Sequence, residues 1–196
     1  MTFRRMLKRL LDEVRPSDGT SGIVSLFRLR VLGPNKLHGV RYQAVDPPTF
    51  RQCLVPLHED WSQFTFVDLG CGKGRALLLA RELGFGRIIG VEFAPALARM
   101  ARRNAPFAEV VVGDAAEYLF PTCPLVVFLY NPFDEVVLRR VVVHLPECYV
   151  AYLNPRHEDV FETTQFRLVH RSEQFSVWKV NPSRLADPGL PWNHGA

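Results

Sequence analysis

Long apolar runs are missing from this chain: none approaches the roughly 20 residues that a membrane-crossing helix needs. A helical membrane span is therefore not expected. The first residues alternate charge with apolarity, as in Arg4-Arg5-Met6-Leu7-Lys8-Arg9, and hold no continuous apolar block, so no secretory leader is expected either. Cysteine is sparse and scattered, with Cys53, Cys71, Cys123 and Cys148 forming no C-x-x-C pair and no set with histidine at ligand spacing. That argues against a zinc site and a disulfide framework, leaving a reducing, cytoplasmic setting as the default. Neither a Ser-His-Asp or Cys-His pattern nor an internal repeat is recognisable.

What is present is ordinary globular composition, 47% hydrophobic and 22% charged, in 196 residues, about the size of one domain with a real core. Charge is uneven. Residues 1–51 hold ten Lys or Arg against four Asp or Glu, whereas residues 52–196 hold fourteen against sixteen. The basic excess lies in front of the rest of the chain. Met6, Leu7, Leu10, Leu11 and Val14 recur at helical spacing with cations between them, which predicts an amphipathic helix. Packing on the core is its ordinary fate; contact with anionic lipid or RNA through residues 1–14, and with it membrane association, is the alternative.

Residues 64–75, Phe-Thr-Phe-Val-Asp-Leu-Gly-Cys-Gly-Lys-Gly-Arg, carry the most information. An apolar strand runs into Asp68 and the alternate glycines Gly70, Gly72 and Gly74, with a helical pattern behind. Such a turn lets the backbone, its N–H groups and a helix N-terminus approach a ligand. The dinucleotide fingerprint needs a further glycine where this chain has Arg75, so G-x-G-x-x-G fails. The short length also disfavours a dehydrogenase with a second domain. Ile88 to Glu92 reads as a second buried strand ending in an acid, Val110-Val111-Val112-Gly113-Asp114-Ala115 as a third, and Leu125 to Leu129 as a fourth that runs into Tyr130-Asn131-Pro132-Phe133. Open parallel sheets bind ligands at the carboxyl ends of their strands, where these residues would converge. Taken singly, Glu92 and Asp114 could equally be helix caps, and Asn131 a turn starter.

The order D-x-G-x-G-x-G, then Glu92, then Asp114 resembles the class I S-adenosylmethionine-dependent methyltransferases over roughly residues 40–180. The resemblance implies an α/β fold: a Rossmann-like seven-stranded sheet, mostly parallel with a C-terminal antiparallel hairpin, and helices on both faces. It implies S-adenosyl-L-methionine as cofactor, held by Tyr42, Asp68, Gly70, Cys71, Gly72, Gly74, Glu92, Asp114, Ala115 and Asn131. In this reading Glu92 takes the ribose hydroxyls, Asp114 the adenine amine, and Cys71 mostly fills the loop. Amine methylases of this class carry Asn or Asp, prolines and an aromatic at the end of the fourth strand, which makes Asn131, Pro132 and Phe133 the acceptor-side residues. One proline stands here where two are usual. The Tyr42 segment, the glycine loop and the short length are also similar to a family of small lysine methyltransferases that includes enzymes acting on the ATP synthase c subunit.

The rest of the pattern predicts a helix capped by Thr49 through Leu57, helices over 73–84, 94–104 and 134–145, short helices near 115–119 and 157–163, and strands over 147–153, 165–170 and 173–180. The expected domains are a basic N-terminal layer over 1–50, the cofactor domain over 51–181 and an irregular tail over 182–196. The function expected is N-methylation of an amine, on a protein lysine or a small molecule, without metal. A cofactor-binding adaptor with an RNA- or lipid-binding N-terminus, and an O-methyltransferase, are the alternatives.

Overall fold

The computed structural model describes residues 45–181. The amphipathic helix, Tyr42 and the tail lie outside the described residues. Seven strands form one sheet in the order β3-β2-β1-β4-β5-β7-β6. They are β1 (Thr65–Leu69), β2 (Arg87–Glu92), β3 (Glu109–Val112), β4 (Leu125–Tyr130), β5 (Tyr149–Leu153), β6 (Phe166–Arg171) and β7 (Phe175–Val180). The first five run parallel, and β7 pairs antiparallel with both β5 and β6. All five residues of β1 are buried, as expected of a continuous apolar run covered on both faces.

Helices α1 (Pro47–Leu54), α2 (Arg75–Glu82) and α3 (Pro95–Asn104) cover one face, and α4 (Glu135–Val143) the other. Under α1 and α2, Phe50, Phe66, Phe85 and Phe128 form an aromatic knot, with ring centroids 5.1–5.7 Å apart. Such contacts add about 0.5–1.5 kcal/mol per pair beyond area burial. Under α4 lie Val67, Leu69, Val127, Leu129 and Tyr152.

Three local expectations are corrected. Thr49 does not cap α1: Asp46 does, accepting from the Thr49 N–H at 3.0 Å, and α1 starts at Pro47, whose missing N–H and fixed φ suit a first helical position. A 3₁₀ turn, Val55–Leu57, replaces the last helical turn. The short helices expected near 115–119 and 157–163 are 3₁₀ turns, Ala115–Glu117 and Glu158–Phe161, each one turn of chain. Too few residues stand there to nucleate an α-helix.

Register sets the site. Leu69 lies level with Val91 and with Leu129, Glu92 with Val112, and Tyr130 with Leu153. Five parallel strands thus end on one line. The chain winds from β1 outward to β3, then crosses back to β4, so the strand order reverses between β1 and β4. That reversal is where open α/β sheets bind ligands.

Candidate functional site

Gly70, Gly72 and Gly74 follow β1 with φ of +82°, +54° and +85°. Each is a left-handed position that a side chain would strain. The loop is tied down to β2: the Gly70 and Cys71 N–H groups both donate to the Val91 carbonyl, at 2.8 and 3.0 Å, and the Gly74 N–H donates to the Cys71 carbonyl at 2.8 Å. The Gly72 N–H donates to Glu92 Oε2 at 2.8 Å, while Glu92 Oε1 accepts from the Ala94 N–H at 2.7 Å. Four amide donors of the loop are therefore spent inside the protein, against the expectation that they face a ligand. A loop so arranged is poorly equipped to cradle a pyrophosphate, whereas a nucleoside ligand without phosphate does not need those donors.

Glu92 is therefore a buried brace between the glycine loop and the start of α3, neither a solvated cap nor only a strand-end acid. Burial pushes its carboxyl up, and the N–H groups of Ala94, Gly72 and Phe93 pull it back. Asp68, 4% exposed, is raised to about 8, first by burial and then by the charge of Glu92. Cys71 is buried, and burial, Asp68 and Glu92 hold its thiol well above the ordinary value. The filler reading of Cys71 fits this packing; a reactive thiolate does not.

Sequence reasoning missed Gly90. A Cβ there would lie 2.7 Å from Cys71 Sγ and 3.0 Å from Leu77 Cδ1, so the glycine loop can settle on β2 only because that strand is bare at Gly90. A glycine inside an apolar strand was the available signal.

The acid after β3 behaves more locally. Asp114 Oδ1 accepts from the Ala116 N–H at 2.9 Å and caps the 3₁₀ turn, with half-buried Ala115 beside it. At the end of β4, Asn131 is left-handed with φ +43° and only 5% exposed. Its Oδ1 is buried without a hydrogen-bond partner among the described residues. Left-handed backbone in a non-glycine residue and an orphaned buried acceptor each cost free energy, of order 1–3 kcal/mol, and here the two coincide in one residue.

Pro132 touches the glycine loop: a Cβ on Gly70 would sit 2.6 Å from Pro132 Cβ. Phe133, 8% exposed, packs into the hydrophobic cluster under α4, leaving little of its ring to face a substrate. Asp134 caps α4 by accepting from the Val137 N–H at 3.2 Å, and Glu135 pairs with Arg139 at 2.7 Å. Tyr130 is half-buried, its hydroxyl pushed up by burial and then by the charge of Asp46. The structure thus brings together Asp68, the glycines, Cys71 and Glu92, and joins Asn131 and Pro132 to them at the strand reversal.

The raised Asp68 carboxyl carries a pH signature. Folded protein keeps a proton that the unfolded chain, at its ordinary value of 3.8, has lost, so the associated stability is fully present below about pH 4 and is lost as pH rises through about 8. Urea midpoints should therefore fall between pH 5 and pH 9, and Asp68→Asn should flatten the slope. Equal slopes in the two proteins would contradict the burial of an ionisable Asp68.

Residues 66–154 match the family model described as "Methyltransferase domain". The ribosomal protein L11 methyltransferase of Dechloromonas aromatica is 34% identical over 88 residues, covering 41% of this chain and 30% of that protein. The chain thus spans under a third of the length of the curated relatives it matches. Among solved structures, an RNA methyltransferase from Salinibacter ruber in complex with S-adenosyl-L-homocysteine aligns with TM-score 0.51 at 20% identity, over 69% of this chain and 91% of that one. A TehB-like SAM-dependent methyltransferase from Corynebacterium glutamicum aligns with TM-score 0.51 at 15% identity, over 68% and 88%. At these identities the structural likeness is one of fold. Among the described residues, no helix is long and apolar enough to cross a membrane, and no group of side chains could hold a metal ion.

Proposed function

We propose that this chain is a class I S-adenosylmethionine-dependent methyltransferase, built on the methyltransferase domain that residues 66–154 match, and that it methylates an amine nitrogen, most directly on a macromolecule. The observation that carries the acceptor chemistry is Asn131: a buried carbonyl oxygen without a partner among the described residues, held in left-handed backbone at the end of β4. An oxygen of that kind accepts hydrogen bonds and donates none, so it suits an N–H group whose lone pair must point elsewhere.

The cofactor's residues fit the site on physical grounds. Glycines at positive φ let the loop turn tightly at the end of β1, Asp68 supplies a carboxyl without a hydrogen bond from the described protein, and Glu92 keeps lone pairs beyond the backbone N–H groups it accepts from. When bound, S-adenosylmethionine supplies a methyl group on a positively charged sulfur that leaves as a neutral thioether. For their part, the protein groups hold and orient: Asn131 fixes the acceptor nitrogen, and the brace at Glu92 fixes the loop. Proximity of this kind can supply several kcal/mol, up to about 7–11 in ideal cases. Asp114, as the cap of the turn after β3, would set the adenine end.

The curated relatives are named for a ribosomal protein, and one structural neighbour for RNA. With the basic excess of residues 1–51, these names support an acceptor presented on a macromolecule bearing anionic surface. Tritiated donor tested against ribosomal proteins, bulk RNA and small amines checks this. Label on a protein nitrogen, mapped by mass spectrometry, is expected. Label on an oxygen, or on small amines alone, would overturn the acceptor reading.

A further inference from the structure

The contact between Gly70 and Pro132 joins two loops with different tasks. Gly70 belongs to the loop after β1, on the cofactor side, and Pro132 follows Asn131 after β4, on the acceptor side. A Cβ built on Gly70 meets Pro132 Cβ at 2.6 Å, with the Pro132 Cα and Cγ both at 3.7 Å. The pyrrolidine ring is therefore seated directly over the bare backbone of Gly70. Being a ring, it cannot swing away as a flexible side chain would.

Asn131 makes the contact informative. A residue before proline is ordinarily driven toward extended backbone, yet Asn131 has φ +43°. Its buried Oδ1 has no partner among the described residues that would hold it there. Strain of this sort persists only where surrounding structure over-determines it. Among the described residues, it is flanked by the Pro132 ring on Gly70 on one side and by Phe133 anchored in the α4 cluster on the other.

We propose that Pro132 is a positioning residue: seated on Gly70, it locks the acceptor loop to the cofactor loop and holds the Asn131 amide against the point where the methyl group is transferred. The inference rests on the reading of the site as a methyltransferase centre. Pro132 itself touches no reacting atom; it acts through Asn131. Gly70 accordingly has a second role beyond its backbone angle, since the ring occupies the space where any side chain at that position would go.

The test needs no acceptor. S-adenosylhomocysteine reports the cofactor loop alone. Sinefungin, which carries a primary amine on carbon where the cofactor carries its methylated sulfur, also offers an N–H to Asn131. Titration calorimetry on the full chain should show sinefungin binding about tenfold more tightly than S-adenosylhomocysteine, the worth of one charge-assisted hydrogen bond. Pro132→Gly should erase that preference while changing S-adenosylhomocysteine affinity less than about threefold. A merely structural proline would weaken both ligands together.

Gly70→Ala, which drives a Cβ into the ring, should cost at least about tenfold in S-adenosylhomocysteine affinity in the wild-type background, and clearly less when Pro132 is already glycine. Thermal melts would show that each variant is folded. Equal losses for both ligands in Pro132→Gly, or a Gly70→Ala cost unchanged by removal of the ring, would overturn the lock. Failure of the wild-type chain to bind S-adenosylhomocysteine would instead overturn the methyltransferase reading itself.

Discussion

Glu92→Ala is expected to weaken S-adenosylhomocysteine binding by at least about a hundredfold, while the sheet stays folded. Its carboxylate accepts from Gly72 at 2.8 Å and from Ala94 at 2.7 Å. Hydrogen bonds to a charged group contribute about 1.5–3 kcal/mol each. Losing both frees the glycine loop from the start of α3, leaves two donors without their partner, and removes the acid that would hold the ribose. Stability should fall by only about 1–3 kcal/mol, because removing the Glu92 charge also relieves Asp68, whose carboxyl that charge pushes up. Glu92→Gln keeps one accepting oxygen and should fall between the two. Calorimetric titration checks the affinity and denaturant melts the stability; affinity within threefold of wild type would show that the brace is not needed.

Asn131→Ala should slow methyl transfer by about 10²–10³-fold with little change in S-adenosylhomocysteine affinity. That is the scale on which removing one preorganised polar group from a reacting centre acts. The amide and the left-handed backbone can be separated experimentally. Asn131→Gly takes φ +43° without steric cost, so it should be as slow as the alanine variant yet no less stable than wild type. Shedding a buried acceptor that has no partner among the described residues is even expected to raise the melting temperature, the usual relation between stability and a strained working site. Single-turnover rates with labelled donor would check the first part, and calorimetric melts the second. A glycine variant with wild-type rate would show that the backbone alone matters.

Much of this arrangement is legible from residues alone, for a definite reason. β1, β2 and β4 are apolar runs bounded by an acid, a glycine or a proline, and buried parallel strands leave that imprint directly. The acid at the end of β2 and the Asn-Pro step after β4 are visible by position. Their partners are not, since hydrogen bonds between residues far apart in sequence leave no periodic mark. Glu92 bonding to Gly72 spans 20 residues, and the packing of Pro132 on Gly70 depends on the reversal of strand order between β1 and β4.

Short elements were the least legible. Asp46 rather than Thr49 caps α1, because a carboxylate three residues before an amide competes better than the threonine within the helix. Phe133 looks like a substrate-facing ring in the motif, yet the first turns of α4 draw it into the core. Gly90 reads as one more small residue in a strand until the loop that settles over it is in place.

The most direct measurement is calorimetric titration of the purified chain with S-adenosylhomocysteine, with NADH as the control. Micromolar binding of the first and none of the second is the predicted result, since the Gly70, Cys71, Gly72 and Gly74 amides are already satisfied by the protein and are not available to a pyrophosphate. Binding of NADH, or of neither ligand, would contradict the account.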